Sequence, residues 1–232
     1  MIIFFRNSVG YLFSYIAIIC LFISNMLHIN KIENWSHIGK LIYKLSRHIE
    51  YHHDNIIILR NFMTVECIEY IQQYISPLYH NYIESLNVFS PNSQHFSNNN
   101  YLQLLLLLYH PFIENILNKK LFPVYANSKM YKDNSLLLPH IDYKYLEYTV
   151  TINISESTYE TLLLCDINDK CIYNINLNIG DALLFKGDNV YHARYKYNGK
   201  PFIQILLHYM SKDNMEKYNL QNYANEFYSH LE

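Results

Sequence analysis

The five residues at positions 138–142, Leu-Pro-His-Ile-Asp, constrain the fold of this chain more than any other segment. His140 and Asp142 are two residues apart, so on an extended backbone their side chains point to the same side. Residues 148–154, Tyr-Thr-Val-Thr-Ile-Asn-Ile, alternate and are rich in β-branched side chains, which predicts a strand soon after the pair. We therefore expect a β-sheet that presents an imidazole and a carboxylate on one surface.

A third polar residue, His192, is placed by the pattern on a neighbouring strand. The Gly180-Asp181 pair predicts a turn into a strand that carries the chain to His192. Two histidines and one carboxylate form the facial triad that holds non-haem Fe(II) and leaves coordination positions open. His140, Asp142 and His192 are thus the predicted metal ligands and catalytic centre. With 12 histidines in the chain, the alternative is a surface His140 and a His192 that packs across strands.

Further along, Asn198-Gly199 is a strong hairpin signal, and residues 201–209 have the composition of a strand. We therefore predict a hairpin that joins the His192 strand to this segment. A two-residue turn would put Arg194 on the same face as His192, and a three-residue loop would bring Lys200 to the inner face instead.

These motifs belong to an ordered series along the chain: Tyr131, His140, Asp142, Glu147, Gly180-Asp181, His192, Arg194, Gly199-Lys200, Gln204 and His208-Tyr209. Over roughly residues 50–210 this series resembles the Fe(II)/2-oxoglutarate-dependent dioxygenases of the prolyl-4-hydroxylase-like group. The resemblance implies a mainly β fold with flanking helices (α+β). Its centre would be a double-stranded β-helix, or jelly-roll barrel, with the triad at its mouth.

The resemblance also implies the chemistry. Fe(II) and 2-oxoglutarate would serve as cofactor and co-substrate, with ascorbate as an accessory. The reaction would use O₂ to hydroxylate a substrate while 2-oxoglutarate is converted to succinate and CO₂. A peptidyl proline is the first substrate expected, ahead of peptidyl lysine or a small molecule. The alternatives are a degenerate metal-binding jelly-roll that acts as an interaction module, a cupin-like metal enzyme without 2-oxoglutarate, and a membrane-tethered interaction protein with an accidental triad.

A co-substrate with a buried distal carboxylate requires a cationic partner. Where the family commonly has Arg or Lys, this chain has Pro201 and Phe202. Arg194 is the first candidate and Lys200 the second, each with a solvated surface charge as the alternative. Tyr131 and Gln204 are the other residues expected to bind the co-substrate, unless they only pack within the barrel or satisfy a polar gap.

The N-terminal part of the chain predicts a separate segment. Residues 11–27 are nearly all apolar, close to the length that a membrane span needs, and residues 1–30 are the expected membrane anchor. A cleaved signal peptide and a helix of a cytoplasmic protein are the alternatives. Lysines after the segment favour a cytosolic catalytic domain, whereas anchored relatives face the lumen, so orientation stays open. A net charge of −2 argues against nucleic acid as a partner.

The rest of the chain divides into a linker helix over residues 31–50, the catalytic domain over 51–210 and a C-terminal helix over 211–232. Within the domain, Thr64 should cap a helix that Pro77 ends, and residues 90–100 should form a loop. Residues 101–108 and 111–117 read as core helices, and 124–131 as the first barrel strand. Cys165 and Cys171 flank a predicted hairpin turn, as two free thiols or as a disulfide across it.

Overall fold

The computed structural model describes residues 48–80, 89–97, 99–155, 161–166 and 172–218. Within these ranges two antiparallel β-sheets face each other, and two long helices cover the outer face of the larger sheet. The first six strands are β1 (His48–His53), β2 (Ile56–Arg60), β3 (Gln94–Ser97), β4 (Leu121–Tyr131), β5 (Leu137–His140) and β6 (Tyr148–Asn153). The remaining strands are β7 (Thr161–Asp166), β8 (Ile172–Asn176), β9 (Ala182–Lys186), β10 (Val190–Arg194) and β11 (Phe202–Ser211). The helices are α1 (Val65–His80), α2 (Asn100–Leu117) and α3 (Lys212–Lys217).

The strand order identifies the architecture. The larger sheet has seven strands in the order β1-β2-β9-β6-β11-β4-β3, and the smaller sheet has four in the order β5-β10-β7-β8. From β4 onwards the chain passes repeatedly between the two sheets, so that strands adjacent in sequence often belong to opposite sheets. This is the double-stranded β-helix expected from the sequence, mainly β with flanking helices.

Side-chain alternation along the strands builds two apolar cores. On β2, Ile57 and Leu59 pack with the helices, while Ile56 and Ile58 point between the sheets and contact the interior cluster around Phe185. All four β2 isoleucine and leucine side chains are at most 4% exposed. A strand buried on both faces reads as a continuous apolar run, which is why this short segment was recognisable in the sequence.

Helix α2 supplies most of the outer core. Asn99 caps it, its side-chain oxygen accepting from the Tyr101 backbone N–H at 2.8 Å, and Asn118 ends it in the left-handed conformation with φ of 50°. Leucines and aromatic residues along the helix are buried against the larger sheet, among them Leu105 and Phe112, both 0% exposed. The predicted pair of core helices is therefore one continuous helix that includes Pro111.

Two local predictions were wrong. Pro77 does not end α1, which continues to His80. Ile71, Ile75 and Tyr79 are buried along one face, and this packing outweighs the hydrogen bond that proline cannot donate. Residues 90–100 are not wholly loop, because β3 forms there and pairs with β4.

The predicted hairpin at Asn198-Gly199 was also wrong. β10 pairs with β5 and β7, whereas β11 pairs with β4 and β6, so the two strands belong to different sheets. The connecting residues bond elsewhere: Tyr197 donates its N–H to the Ser135 carbonyl at 2.6 Å and accepts from the Asn134 N–H at 2.8 Å. Asn134 has a φ of 69°, a conformation that asparagine tolerates better than most residues.

Several predictions fall on residues outside the described ranges. These are the hydrophobic segment 1–30, most of the linker helix, Cys171 and most of the C-terminal helix. The predicted linker helix was wrong at its end, since His48 already begins β1. Within the predicted C-terminal helix over 211–232, the described residues form α3, and a helix over the remaining residues stays a prediction. Among the described residues, no helix is both long enough and apolar enough to cross a membrane. Membrane attachment stays a prediction.

Candidate metal centre

His140, Asp142 and His192 meet at one end of the space between the sheets. β5 and β10 pair so that His140 lies directly opposite His192, and Asp142 follows in the loop after β5, where its N–H donates to the Gly187 carbonyl at 2.8 Å. The Asp142 Oδ1 atom is 3.6 Å from His192 Nε2 and 4.0 Å from His140 Nε2. One ligand atom from each residue lies within 4.8 Å of the other two. The structure thus brings together the three residues that the sequence pattern selected.

Hydrogen bonds determine which atom of each of the three residues faces the candidate metal position. His140 Nδ1 lies 2.8 Å from the Leu138 carbonyl, and His192 Nδ1 lies 3.2 Å from the Val190 carbonyl. A carbonyl only accepts, so both Nδ1 atoms carry the proton and both Nε2 atoms keep a lone pair. Asp142 Oδ2 accepts from the Thr149 hydroxyl at 2.6 Å, which leaves Oδ1 for the site.

The pKa shifts of the three residues favour the binding of a metal ion over the binding of protons. Burial lowers the pKa of His140 below its usual value and lowers that of His192 to about 4, so both imidazoles are neutral near pH 7. Burial opposes the ionisation of Asp142, but His192, His208 and the Thr149 hydrogen bond together hold the pKa of Asp142 below its usual range. Two neutral nitrogens and one carboxylate oxygen suit Fe(II), and the donor set of this site fits that ion.

A network behind Asp142 escaped the sequence analysis. The Thr149 hydroxyl donates to Asp142, so it accepts from His208 Nδ1 at 3.0 Å. His208 Nε2 then accepts from the Asn127 side-chain amide at 3.2 Å. All three residues behind Asp142 are buried. His208 was visible as part of the family-like motif, but Thr149 and Asn127 have no local signal beyond their alternation along strands.

Gly187 is a second residue that was missed. It lies in the turn between β9 and β10, and a Cβ atom there would be 2.7 Å from the Thr149 hydroxyl and would collide with the Asp142 carboxylate. Residue 187 therefore has to be glycine if the Asp142 carboxylate is to occupy its observed position. One of only five glycines in the chain, it could have been singled out by its rarity and its place just before the His192 strand.

A cavity of about 470 Å³ extends from the triad between the sheets. Arg194 lies inside it, 5% exposed, and its guanidinium NH2 donates to Gln204 Oε1 at 3.0 Å. The guanidinium carbon lies 4.8 Å from the centroid of the Tyr131 ring. Arg194, Gln204 and Tyr131, all candidates from the sequence, are therefore brought together in the same cavity as the triad.

The register used to rank Arg194 was nevertheless wrong, because it assumed the hairpin that does not form. Arg194 faces the cavity because it is two residues after His192 on β10, and residues two apart share a face. Lys200 does not line this cavity: its side chain is exposed, and its carbonyl accepts from the Tyr197 hydroxyl at 2.5 Å. Glu147 is also not at the metal site, and accepts instead from the Ser211 N–H and hydroxyl at the start of α3.

Lys129 is a cavity residue that sequence reasoning overlooked. It lies on β4 with Tyr125, Asn127 and Tyr131, which all line the cavity at every second position. Its side chain is 8% exposed, and its charge contributes to the lowered pKa values of His140 and His192. The two-residue spacing of Lys129 and Tyr131 in the predicted first barrel strand was the signal that could have found it.

Comparison with known proteins supports the fold. No protein-family model matches the sequence, and no curated protein matches it. Among solved structures, the chain is similar to a prolyl-4-hydroxylase from Pseudomonas putida, with 10% identity over 75% of this chain and 99% of that one and a TM-score of 0.55. It is also similar to a Trichoplax adhaerens prolyl hydroxylase in complex with a peptide of hypoxia inducible factor, with 15% identity, coverage of 78% and 92% and a TM-score of 0.56.

A third similar structure contains a bound small molecule. It is HygX from Streptomyces hygroscopicus with nickel, 2-oxoglutarate and hygromycin B bound, at 10% identity, coverage of 68% and 83% and a TM-score of 0.55. The molecules in complex with the second and third of these neighbours differ, one being a peptide and the other hygromycin B. The described part of this chain has the jelly-roll fold of the prolyl-4-hydroxylase-like 2-oxoglutarate and Fe(II) oxygenases.

Proposed function

We propose that this chain is an Fe(II)- and 2-oxoglutarate-dependent oxygenase that hydroxylates its substrate. The observation that carries the proposal is the convergence of two imidazole Nε2 atoms and one carboxylate oxygen at the end of a cavity that also contains a buried arginine. Bound Fe(II) would supply the activation of O₂ that couples decarboxylation of 2-oxoglutarate to oxidation of the substrate.

Each residue of the site has a definite task in this proposal. His140, Asp142 and His192 hold the metal on one side and leave the cavity side for ligands. Arg194 binds the distal carboxylate of 2-oxoglutarate, because a guanidinium is the side chain best matched to a carboxylate. Gln204 accepts from one nitrogen of Arg194 and so orients the remaining donors, and the Tyr131 ring packs beside the guanidinium.

A peptidyl proline is the first substrate to test. Prolyl hydroxylases are among the structural neighbours, one of them in complex with a peptide. Exposed aromatic and apolar residues around the cavity, including Phe89, Ile141 and Tyr143, offer a surface that an extended peptide can contact. HygX, with its bound hygromycin B, makes a small molecule the second class to test.

The test is an anaerobic titration of the purified full-length chain with Fe(II) and then 2-oxoglutarate, followed by the visible metal-to-ligand charge-transfer band. We expect the band in the wild type, and an increase of about tenfold or more in the dissociation constant of 2-oxoglutarate for Arg194→Met. Lys200→Met, which removes a cation outside the cavity, is the matched control and should bind as the wild type does. Iron binding without any band would contradict the co-substrate assignment and favour an interaction module or a cupin-like enzyme.

A further inference from the structure

Lys129 is a buried cation that the proposed reaction does not use. On β4 it lies directly opposite His95 of β3 on one side and Gln204 of β11 on the other, so the three residues form one row across the sheet. All three line the cavity. The row begins at the edge of the larger sheet and ends at the Gln204 side chain that accepts from Arg194.

Lys129 has no acidic counterpart in the described part of the chain. No carboxylate there forms an ion pair with it, and Asp142 is the only acidic side chain among the described residues that line the cavity. Lys129 is 8% exposed, and its Nζ lies 5.9 Å from the centroid of the Tyr131 ring, a cation–π contact that supplies no negative charge. A buried cation without an acidic counterpart is costly, which points to a ligand that supplies the opposite charge.

Fe(II) and 2-oxoglutarate, the proposed metal and co-substrate, do not supply a negative charge that balances Lys129. Among the described residues that line the cavity, Lys129 and Arg194 are the two cations and Asp142 is the one anion. Asp142 and one carboxylate of 2-oxoglutarate offset Fe(II), and the distal carboxylate of 2-oxoglutarate offsets Arg194. One positive charge is left over when both ligands are bound.

We propose that Lys129 forms a subsite for an anionic group of the substrate, a carboxylate or a phosphate, separate from the site of the 2-oxoglutarate carboxylates. This inference rests on the proposed function, since the charge count assumes bound Fe(II) and 2-oxoglutarate. It assigns Lys129 to substrate recognition, so the oxidised substrate is acidic or carries an acidic residue beside the reacting carbon.

His95 supports the subsite with a second donor. Its Nε2 lies 3.0 Å from the Tyr125 hydroxyl, and its Nδ1 is buried without a hydrogen-bond partner among the described residues. When the hydroxyl donates to Nε2, the proton of the neutral ring is on Nδ1, where it can be donated. Burial lowers the pKa of His95 to about 4, so the ring is neutral near pH 7 and adds a hydrogen bond without adding charge.

The experiment uses small probes that differ only in charge or in the type of anion. Benzoate, benzamide and phenyl phosphate are titrated by calorimetry into the full-length chain loaded anaerobically with Fe(II) and 2-oxoglutarate, while the charge-transfer band is monitored. We expect benzoate or phenyl phosphate to bind about tenfold or more tightly than benzamide with the band retained, because a hydrogen-bonded charge contributes that much. The stronger of the two anions identifies the substrate group as a carboxylate or a phosphate.

Substitutions at Lys129 test whether this residue causes the preference for the anionic probes. Lys129→Met should abolish the preference for the anions and change the affinity for 2-oxoglutarate by less than about twofold, and Lys129→Arg should retain the preference. Lys200→Met removes a lysine outside the cavity and should change neither affinity.

Three results would overturn the subsite. They are equal binding of benzoate, phenyl phosphate and benzamide to the wild type, loss of the band on adding either anion, and loss of 2-oxoglutarate binding in Lys129→Met. The wild-type comparison decides the matter even if Lys129→Met does not fold. A wild type that shows no charge-transfer band at all would instead refute the proposed function on which the charge count depends.

Discussion

A single hydroxyl, that of Thr149, fixes the orientation of the Asp142 carboxylate. It donates to Oδ2 and connects the carboxylate to His208. Thr149→Val keeps the shape of the side chain but removes both bonds, so Oδ1 is no longer held towards the imidazoles. We expect metal affinity to fall about tenfold or more, as for other partners of metal ligands, measured by anaerobic Fe(II) titration.

Thr151→Val is the matched control for this prediction. Thr151 is two residues further along β6 and is also buried, and it has no bond to Asp142. Its metal affinity should stay within about twofold of the wild type, since no partner of a metal ligand is removed. Equal losses in the two variants would mean that Thr149 acts through general packing.

Among single residues, the sequence identified those that belong to a motif. It missed those whose role depends on where the folded chain places them. His140, Asp142 and His192 were found because their spacing has a chemical meaning on strands. Lys129 and Thr149 lie within strands whose alternation was visible, but which face of a strand is inside depends on the partner strands. Lys200 was selected on an assumed turn, and the structure places it outside the cavity.

Among the elements, the turn between β9 and β10 has the least tolerance for change. Gly187→Ala would place a methyl group against the Asp142 carboxylate and the Thr149 hydroxyl. We expect metal affinity to fall about tenfold and the free energy of unfolding of the metal-free protein to fall by about 1–3 kcal/mol. Metal titration and urea unfolding measure the two effects.

Gly199→Ala tests whether any glycine substitution has this effect. Gly199 lies in the connection between β10 and β11 and does not have a positive φ. The metal affinity and the unfolding midpoint of Gly199→Ala should both match those of the wild type. If Gly187→Ala also bound metal normally, Asp142 would not depend on the close approach of this turn.

Helix α2 gives a prediction about the core between helices and sheet. Leu105 is fully buried, whereas Leu107 on the same helix is only partly buried. Leu105→Ala should lower the free energy of unfolding by about 2–5 kcal/mol, because it removes packed methyl groups and leaves a cavity. Leu107→Ala should cost clearly less, and equal costs in urea unfolding would contradict the burial pattern.

The elements also show where local patterns stopped being informative. Strand β6 was predicted because β-branched residues alternate along it, strand β2 because it is a short apolar run, and the region of α2 because it is strongly apolar. The Asn198-Gly199 signal failed because in a jelly-roll the strand after a turn often joins the opposite sheet. Pro77 failed as a helix end because burial of the surrounding face outweighs one lost hydrogen bond.

Across the whole molecule, buried histidines make the fold sensitive to acid. Burial lowers the pKa values of His95 and His192 from the usual 6.5 to about 4, and those of His110, His140 and His208 also fall. The unfolded chain takes up these protons near pH 6.5 and the folded chain does not, so stability is highest above pH 6.5 and falls as pH drops towards 4.

We expect metal-free protein to lose about 2 kcal/mol of unfolding free energy per strongly shifted histidine between pH 7.5 and pH 5. Urea unfolding at the two pH values measures the loss, and His95→Gln should reduce it. A free energy of unfolding that did not change over this range would show that these imidazoles are accessible to protons in the folded state.

At this scale the resemblance of a few ordered motifs was enough to predict the barrel. It was not enough to predict which cations the barrel encloses, because that depends on how the two sheets face each other. The cavity, and the presence of both Lys129 and Arg194 in its lining, emerge only from the complete arrangement of strands.

The most direct measurement is anomalous X-ray diffraction from crystals of the protein grown anaerobically with Fe(II) and 2-oxoglutarate. We expect one metal peak bonded to His140 Nε2, Asp142 Oδ1 and His192 Nε2, with the distal carboxylate of 2-oxoglutarate on the Arg194 guanidinium. A metal peak elsewhere, or a 2-oxoglutarate carboxylate bound away from Arg194, would contradict this account of the site.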